Sequence, residues 1–351
     1  MAHSSGDTNS RIAAIKLLNK LALKLGKELC ECFVAQEMIS MADDPVQEVR
    51  KATIENFIIV CKIVSNDFFV RKLLPTYQRL AKDTDWIVRE AAVHILGSIA
   101  QLTPIQIRQS TLIKIFEEFC NDKHKQVNKA ALTQLGQFIY SLKGSTIPKS
   151  LLNLYILLAN QAKKQDEDLV FHCAYTFPAV LSTVGASGWS MLKVTYKNLI
   201  KKNKIEIIRT MAAYIHEIAK IVGPKITTSE LTLVLKNYLK DETTQTIVLV
   251  HLHDFLKVLN ASQRLEYIPP IKAIIKESKR NWRQREILAI NAAEYAKLFN
   301  IEVSYKEIMP IIYSLLKDEV YQVRVKAPLS FYNVIIQFES QSKYFKEAIE
   351  L

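Results

Sequence analysis

The sequence predicts an all-α chain, an α-solenoid or superhelix of about nine repeats, each built from two antiparallel helices. Three observations carry that expectation. Glycine is scarce, 8 of 351 residues against about 7% in an average protein. Gly-rich phosphate loops and the glycine turns of a β-sandwich or a doubly wound sheet are therefore improbable. An acidic residue followed six positions later by Arg recurs at intervals of about 39 residues. Apolar and small residues keep the same phase around it, and a period of 20 to 50 residues marks a repeat architecture.

The copies can be taken in order, aligned on the residue that follows the inward apolar position. Arg11, with Ala13 and Ala14, opens the series. Asp44 to Ala52 (DPVQEVRKA) places Arg50 in this slot, Asp83 to Ala92 (DTDWIVREAA) places Arg89, and Asp122 to Ala131 (DKHKQVNKAA) places Asn128. Asp166 to Ala174 puts His172 there, Asn203 to Ala212 puts Arg209, and a degenerate copy led by Asp241 puts Ile247. Lys279 to Leu288 supplies Arg285, and Asp318 to Ala327 (DEVYQVRVKA) supplies Arg324. Successive slots lie 37 to 44 residues apart. On this division residues 1–10 are expected to be disordered, 11–340 to form a single continuous solenoid, and 341–351 to begin a truncated further helix. The chain then opens within a second helix and closes within a first one, as a shortened member or a fragment would.

Each phase has a physical role. The Asp is placed to cap the turn between the two helices by accepting backbone N–H bonds. The residue before the slot (Val49, Val88, Val127, Phe171, Ile208, Val323) points inward, and small residues just after it (Ala52, Ala91, Ala130, Ala174, Ala212, Ala327) allow close helix approach. The slot Arg is expected within reach of the previous unit's Asp, giving a ladder that involves Asp44, Arg50, Asp83, Asp122, Arg209 and Asp318. Pro104, Pro148 and Pro224 mark first-helix starts, where a missing N–H costs nothing. Pro75, Pro270 and Pro310 fall inside first helices and are tolerated or kink them. No single unit buries its own face, so neighbours must stack.

The formal net charge of +12 permits attraction to nucleic acid, acidic lipid or acidic protein without choosing among them. Five cysteines without framework spacing point to reduced thiols, and Cys30 and Cys32 face different ways on a helix. The polar start lacks an apolar h-region and no long apolar run occurs, so a soluble, cytoplasmic or also nuclear protein without a membrane partner is expected. Chemistry-bearing motifs fail individually. His216-Glu217 begins a zincin pattern, but Lys220 occupies the second ligand position. His251 and His253 are two apart and face different sides, so they do not share a metal. There is no nucleophile elbow, P-loop or C-x-x-C pair. Neither catalysis, a cofactor nor a metal is expected. The lysines at 163, 164, 201, 202 and 204 read as solvated turns.

The aromatic residues say more. Trp86, Trp282 and Tyr321 share one position, three before the slot. Such a residue either staples the two helices together or stands exposed as a partner anchor, since Trp and Arg dominate binding hot spots. Arg280, Asn281, Trp282, Arg283 and Arg285 form the leading candidate surface, with Tyr321 and Arg324, and Trp86 and Arg89, in equivalent turns.

The spacing and the D…VRxxA pattern resemble HEAT repeats from about Arg11 to Phe338. A narrower likeness rests on Phe171-His-Cys-Ala-Tyr-Thr-Phe-Pro-Ala-Val180, on Arg209-Thr-Met-Ala-Ala-Tyr-Ile-His-Glu-Ile-Ala-Lys-Ile-Val-Gly223, on His253-Asp-Phe-Leu-Lys257 and on Arg280-Asn-Trp-Arg283. These resemble the protein phosphatase 4 regulatory subunit 1 family over roughly Leu169 to Phe338. The related scaffolding subunit of protein phosphatase 2A shares the Asn-Trp-Arg-x-Arg turn of Asn281 to Arg285. The resemblance implies a non-catalytic scaffold whose turns and concave face hold a serine/threonine phosphatase catalytic subunit, with room for substrates or a further regulatory subunit. Other readings are a karyopherin-like cargo adaptor, which the positive charge disfavours, and a nucleic-acid-associated repeat protein. Thr246 in place of the usual Val, and Pro328 inside the last helix, depart from the pattern.

Overall fold

The computed structural model describes residues 7–160, 167–202, 204–277, 281–339 and 342–350, and these are all helix, turn and loop without a strand. The chain divides into two units, Met1–Val184 and Gly185–Leu351. Each unit is a series of helix pairs, the all-α repeat fold expected from the period. In the first unit the second helices of successive repeats are Thr8–Leu29, Gln47–Ile63, Trp86–Leu102, Lys125–Ser141 and Glu167–Val184, each packed on the next. In the second unit Glu242–Val250 packs on Ile205–Ala213 and on Trp282–Ala296, which packs on Tyr321–Phe338. The helix expected to begin after residue 10 starts at Thr8, because the Asp7 carboxylate accepts the Ser10 N–H at 2.7 Å and caps it. The chain after residue 341 carries a further helix, Ser342–Glu350.

The core follows the repeat phase. The positions before the slots, Val49, Val88, Val127 and Val323, and the small residues after them are buried, whereas Phe171, expected inward, is only half-buried. At the sixth copy the buried residue is Ile207 rather than Ile208, one position earlier than the alignment places it. The small residues let second helices approach closely, most tightly at Gly136. There a Cβ would meet Thr176 Oγ1 of the next second helix at 2.0 Å.

First helices share a device that the sequence patterning does not reveal. Twenty-four residues before the slot the chain enters seven of them through Gly26, Ser65, Pro104, Pro148, Gly185, Gly223 or Asn300, and the first helix of the Arg285 repeat is entered one residue earlier, at the capping Asn260. Gly26, Gly185 and Gly223 adopt φ of 73°, 73° and 79°, a left-handed backbone open to glycine at little cost. Ser65 and Asn300 instead cap with their side chains, on Phe68 and Val303 N–H. One turn later, 20 residues before the slot, a single π-helical turn interrupts the helix at Cys30–Val34, Phe69–Leu73, Arg108–Leu112, Thr227–Leu231 and Ser304–Ile308. Pro75 and Pro310 follow two of these turns directly, at the first residues of the α-helix that resumes there. Pro328 leaves the helix Tyr321–Phe338 unbroken. No single helix among the described residues is long and apolar enough to cross a membrane.

In a helix interior Gly→Ala normally stabilises by about 1 kcal/mol. Gly136→Ala should reverse that sign and destabilise the chain by about 1–3 kcal/mol as an overpacked site, measured as a lower urea midpoint at unchanged m-value.

Candidate scaffold surface and the inter-repeat ladder

The turn between the two helices of a repeat is built around one Asp. Asp44, Asp83, Asp122 and Asp318 each accept, through Oδ1, the N–H two residues on, at 2.8–2.9 Å. The same carboxylate receives an Arg. Arg50 donates to Asp83 through Nε at 2.7 Å and Nη2 at 2.8 Å. Arg89 does so to Asp122 at 2.7 and 2.9 Å, and Arg285 to Asp318 at 2.6 and 3.1 Å. Arg11 pairs with Asp44 at 2.8 Å. The ladder thus runs opposite to expectation: Arg11, Arg50, Arg89 and Arg285 each reach the following unit's Asp, 33 residues onward, and not the previous one. The slot lies in the first turn of the second helix, and the remaining guanidinium edge turns back to its own repeat. Arg50 Nη1 donates to the Asp44 and Pro45 carbonyls, Arg89 to those of Asp83 and Thr84, and Arg324 to those of Asp318 and Glu319.

Burial pushes the Asp83 carboxyl up, but hydrogen bonds from Arg50 and the Asp85 N–H, with the charges of Arg50 and Arg89, hold it below its ordinary value. The hydrogen bond from Arg89 leads the lowering of Asp122. These bidentate pairs are largely dehydrated, with side-chain exposures of 12% and 8% for Arg50 and Asp83, so their geometry is fixed.

The ladder stops where the slot changes. Asn128 turns inward to donate to the Cys120 carbonyl. Arg209 is exposed and makes no ion pair among the described residues, correcting its expected place in the ladder. Its counterpart, Asp241, spends its Oδ1 on the Thr243 N–H and hydroxyl. Thr246 and Gln284, which occupy the usual Val position in adjacent repeats, compensate each other: buried Gln284 donates to the Thr246 hydroxyl at 3.0 Å and to Gln245 Oε1 at 2.7 Å. A second set of arginines has no counterpart in the repeat pattern read from the sequence. Arg108 Nη1 donates to the Ser141 carbonyl, and Arg264 Nη1 to that of Leu298 at 3.0 Å. Both bridge onward to the end of the next second helix, where a cation suits the helix dipole. Arg108 lies 20 and Arg264 21 residues before its slot, and that near-common phase was the available signal.

Of the predicted contact residues, Arg280 lies outside the described residues. Arg89 and Arg285 are held in the ladder, which removes most of their surface. Trp282 is half-buried beneath the Arg283 guanidinium, 4.8 Å from its ring. Trp86 stacks on His124 of the next turn at 4.0 Å. Tyr321 is 67% exposed, and Asn281 is half-buried just before the helix begins. The turns therefore present Trp282 with Arg283, Trp86 with His124, and Tyr321, rather than a cluster of free arginines.

Repeat stacking also joins groups that lie apart in sequence. His216 and His251, with Asp254, come together in the second unit with one ligand atom from each within 4.8 Å of the others. The two imidazoles stack at 4.2 Å, only 17° from parallel. Imidazole lone pairs lie in the ring plane, so these run side by side instead of converging on one ion. The arrangement is a packed polar patch, with Asp254 accepting from His251 at 3.3 Å and from Lys257 at 3.1 Å. His216 lies seven residues after its slot and His251 four after the next, one helical turn apart in phase, so aligning the repeats pairs His216 with Asp254 and leaves the His251 contact unmarked.

Two family models match. The middle domain of protein phosphatase 4 regulatory subunit 1 matches residues 173–274, and the sister chromatid cohesion protein PDS5 family matches residues 3–181. Serine/threonine-protein phosphatase 4 regulatory subunit 1 of Homo sapiens is 34% identical over 182 residues, 51% of this chain and 19% of that protein. Regulatory subunit 4 of the same phosphatase, also from Homo sapiens, is 21% identical over 321 residues, 84% of this chain and 36% of that one. A regulatory subunit of protein phosphatase PP2A from Saccharomyces cerevisiae is 26% identical over 153 residues, 44% of this chain and 24% of that one. The solved structure of Kap121p superposes over 99% of this chain and 40% of its own with a TM-score of 0.66 at 13% identity, a likeness of fold. The match to regulatory subunit 1 thus spans about a fifth of that relative's length.

Fold and turn geometry together define a helical-repeat protein of the HEAT solenoid class, related to phosphatase regulatory subunits. Within that class, the match over residues 3–181 makes the chain a member of the PDS5 family, while its residues 173–274 resemble the middle domain of protein phosphatase 4 regulatory subunit 1.

Two measurements follow from this geometry. Asp122→Ala leaves the largely buried Arg89 without its paired carboxylate and should cost roughly 3 kcal/mol in chemical unfolding, whereas Asp67→Ala, on the exposed pair with Arg71, should leave the midpoint unmoved. Burial, then the charge of His251 and that of Lys220, push the His216 imidazole down to about 4 against the pull of Glu217 and Asp254. His253 is lowered as well, chiefly by burial. The unfolded imidazole titrates near 6.5, so the unfolded chain takes up the proton first. Stability is full above that pH and is lost as pH falls toward about 4. Thermal midpoints measured from pH 7 to pH 5 should fall, and His216→Asn should flatten part of the slope.

Proposed function

We propose that the chain is a non-catalytic regulatory or scaffolding subunit of a serine/threonine phosphatase complex. The observation that carries this reading is the 34% identity to protein phosphatase 4 regulatory subunit 1 over 182 residues. In this reading the turns led by Trp282 with Arg283, and by Tyr321 with Arg324, hold the catalytic subunit. The remaining turns and the second-helix faces receive a substrate or a further regulatory subunit, in the cytoplasm or also the nucleus. The physical support is the ladder: paired arginines fix the spacing of successive turns, so side chains on different turns meet a rigid partner in a set register. The PDS5 match over residues 3–181 favours a second reading, a scaffold that works on chromosomes through its first unit.

The test is direct capture. The immobilised chain, incubated with the purified catalytic subunits of protein phosphatases 4 and 2A, should retain at least one of them. Trp282→Ala combined with Arg283→Glu should weaken retention by about tenfold. Retention of neither would overturn the phosphatase reading. Retention unaffected by the double substitution would remove these turns from the interface.

A further inference from the structure

The turns leave a groove in the first unit unexplained. It has a volume of about 600 Å³ and runs across the second helices Trp86–Leu102, Lys125–Ser141 and Glu167–Val184. Gln101, Gln134 and Gln137 line it, and none of their carboxamides is hydrogen-bonded to another described residue. Tyr140 and Tyr175 stand along it with 47% and 50% of their surface exposed. The remaining ionisable side chains in the lining are His94, Arg108 and Lys143, and no carboxylate is among the lining residues. Arg108 donates only to the Thr103 and Ser141 carbonyls, so its charge has no acidic partner among the described residues. Lys143 spans the Tyr140 ring and donates to Ser182 at 2.7 Å.

Gly97 supplies an independent observation. It sits in the middle of Trp86–Leu102 and lines the groove, yet a methyl group added there would meet no atom within 4 Å. A glycine in a helix interior is destabilising relative to Ala, and at Gly136 close packing explains it. At Gly97 no described residue is packed closely enough to need it. What its missing side chain preserves is open space on the groove floor.

We infer that this groove binds an extended acidic segment of another polypeptide. Free carboxamides can donate to and accept from the peptide groups of an extended chain, which has no internal hydrogen bonds of its own. The two Tyr rings give apolar walls at low entropic cost. The positive, carboxylate-free lining selects acidic side chains, and the glycine floor lets the bound backbone come close. This inference stands on the groove's own residues and does not depend on the phosphatase reading.

The probes are two fluorescein-labelled peptides, one alternating Glu and Gly and the other Lys and Gly, together with a labelled oligothymidylate, each titrated into the full chain by fluorescence anisotropy. The Glu peptide should bind and the Lys peptide should not. Lys143→Glu should weaken the Glu peptide by about tenfold, the scale of a reversed contact charge. Gly97→Ala should act in opposite directions at once: a Tm higher by roughly 2 °C and weaker binding of the Glu peptide. Equal binding of the two peptides, binding of the oligothymidylate without the Glu peptide, or no binding of the Glu peptide would each overturn the inference. So would a Gly97→Ala chain that is stabilised and still binds the Glu peptide at full affinity.

Discussion

One carboxylate per repeat organises much of this molecule. An Asp such as Asp83 accepts the N–H that closes its own turn and both prongs of the Arg from the repeat before it. A buried charge is costly unless all its lone pairs are engaged, and here turn and neighbour engage them together. Turn shape, the start of the second helix and the register of adjacent repeats are thereby coupled through one side chain. The apolar positions supply the driving force for stacking, but apolar contact is non-directional. The ion pair supplies the direction.

The first helices solve a different problem, that of entering a packed layer and bending within it. The entry is made by whichever residue suits the local backbone: a left-handed glycine at Gly26, a proline at Pro104, a capping serine at Ser65. The π-turn one turn later inserts an extra residue into the helical ladder, a common feature at bends and functional sites. Its recurrence at one phase in five repeats makes it a property of the repeat rather than a local irregularity.

Much of the architecture was legible in the sequence because the period is set by chemistry that must be identical at each copy. Asp44, Asp83, Asp122 and Asp318 all cap turns as their position implies, and the alanines after the slots are buried where helices meet. Three things were not legible. The direction of the Arg–Asp pairing depends on which neighbouring repeat the slot side of the helix faces, which spacing alone leaves open. The π-turns have no residue signature, since Phe69–Leu73 and Arg108–Leu112 share no side chain that would require one. Arg209 stands exposed without an ion pair among the described residues, while Asp241 accepts from the Thr243 N–H and hydroxyl. Of the candidate surface, the positions of Trp86, Trp282 and Tyr321 were readable as one phase. That Arg89 and Arg285 would be spent on internal pairs was hidden by treating every turn arginine as surface.

The forward pairing has a mechanical corollary. Repeat boundaries act as springs in series, and their stiffness here is uneven. In the first unit the joints closed by Arg11, Arg50 and Arg89 are clamped, while at Asn128 the slot contact turns back into its own repeat and the ion pair that crosses, Lys129–Asp168 at 3.7 Å, is exposed. In the second unit the joint at Arg285 is clamped by the ladder, the one before it relies on Gln284 and Thr246 with the exposed Lys236–Glu266 pair, and the one at Arg209 has no ladder pair, its salt link being Lys193–Glu230 between the first helices. Strain applied to either unit concentrates at its unclamped joints, so each unit flexes at positions written into its own slots, and a partner that bends the protein does its work there.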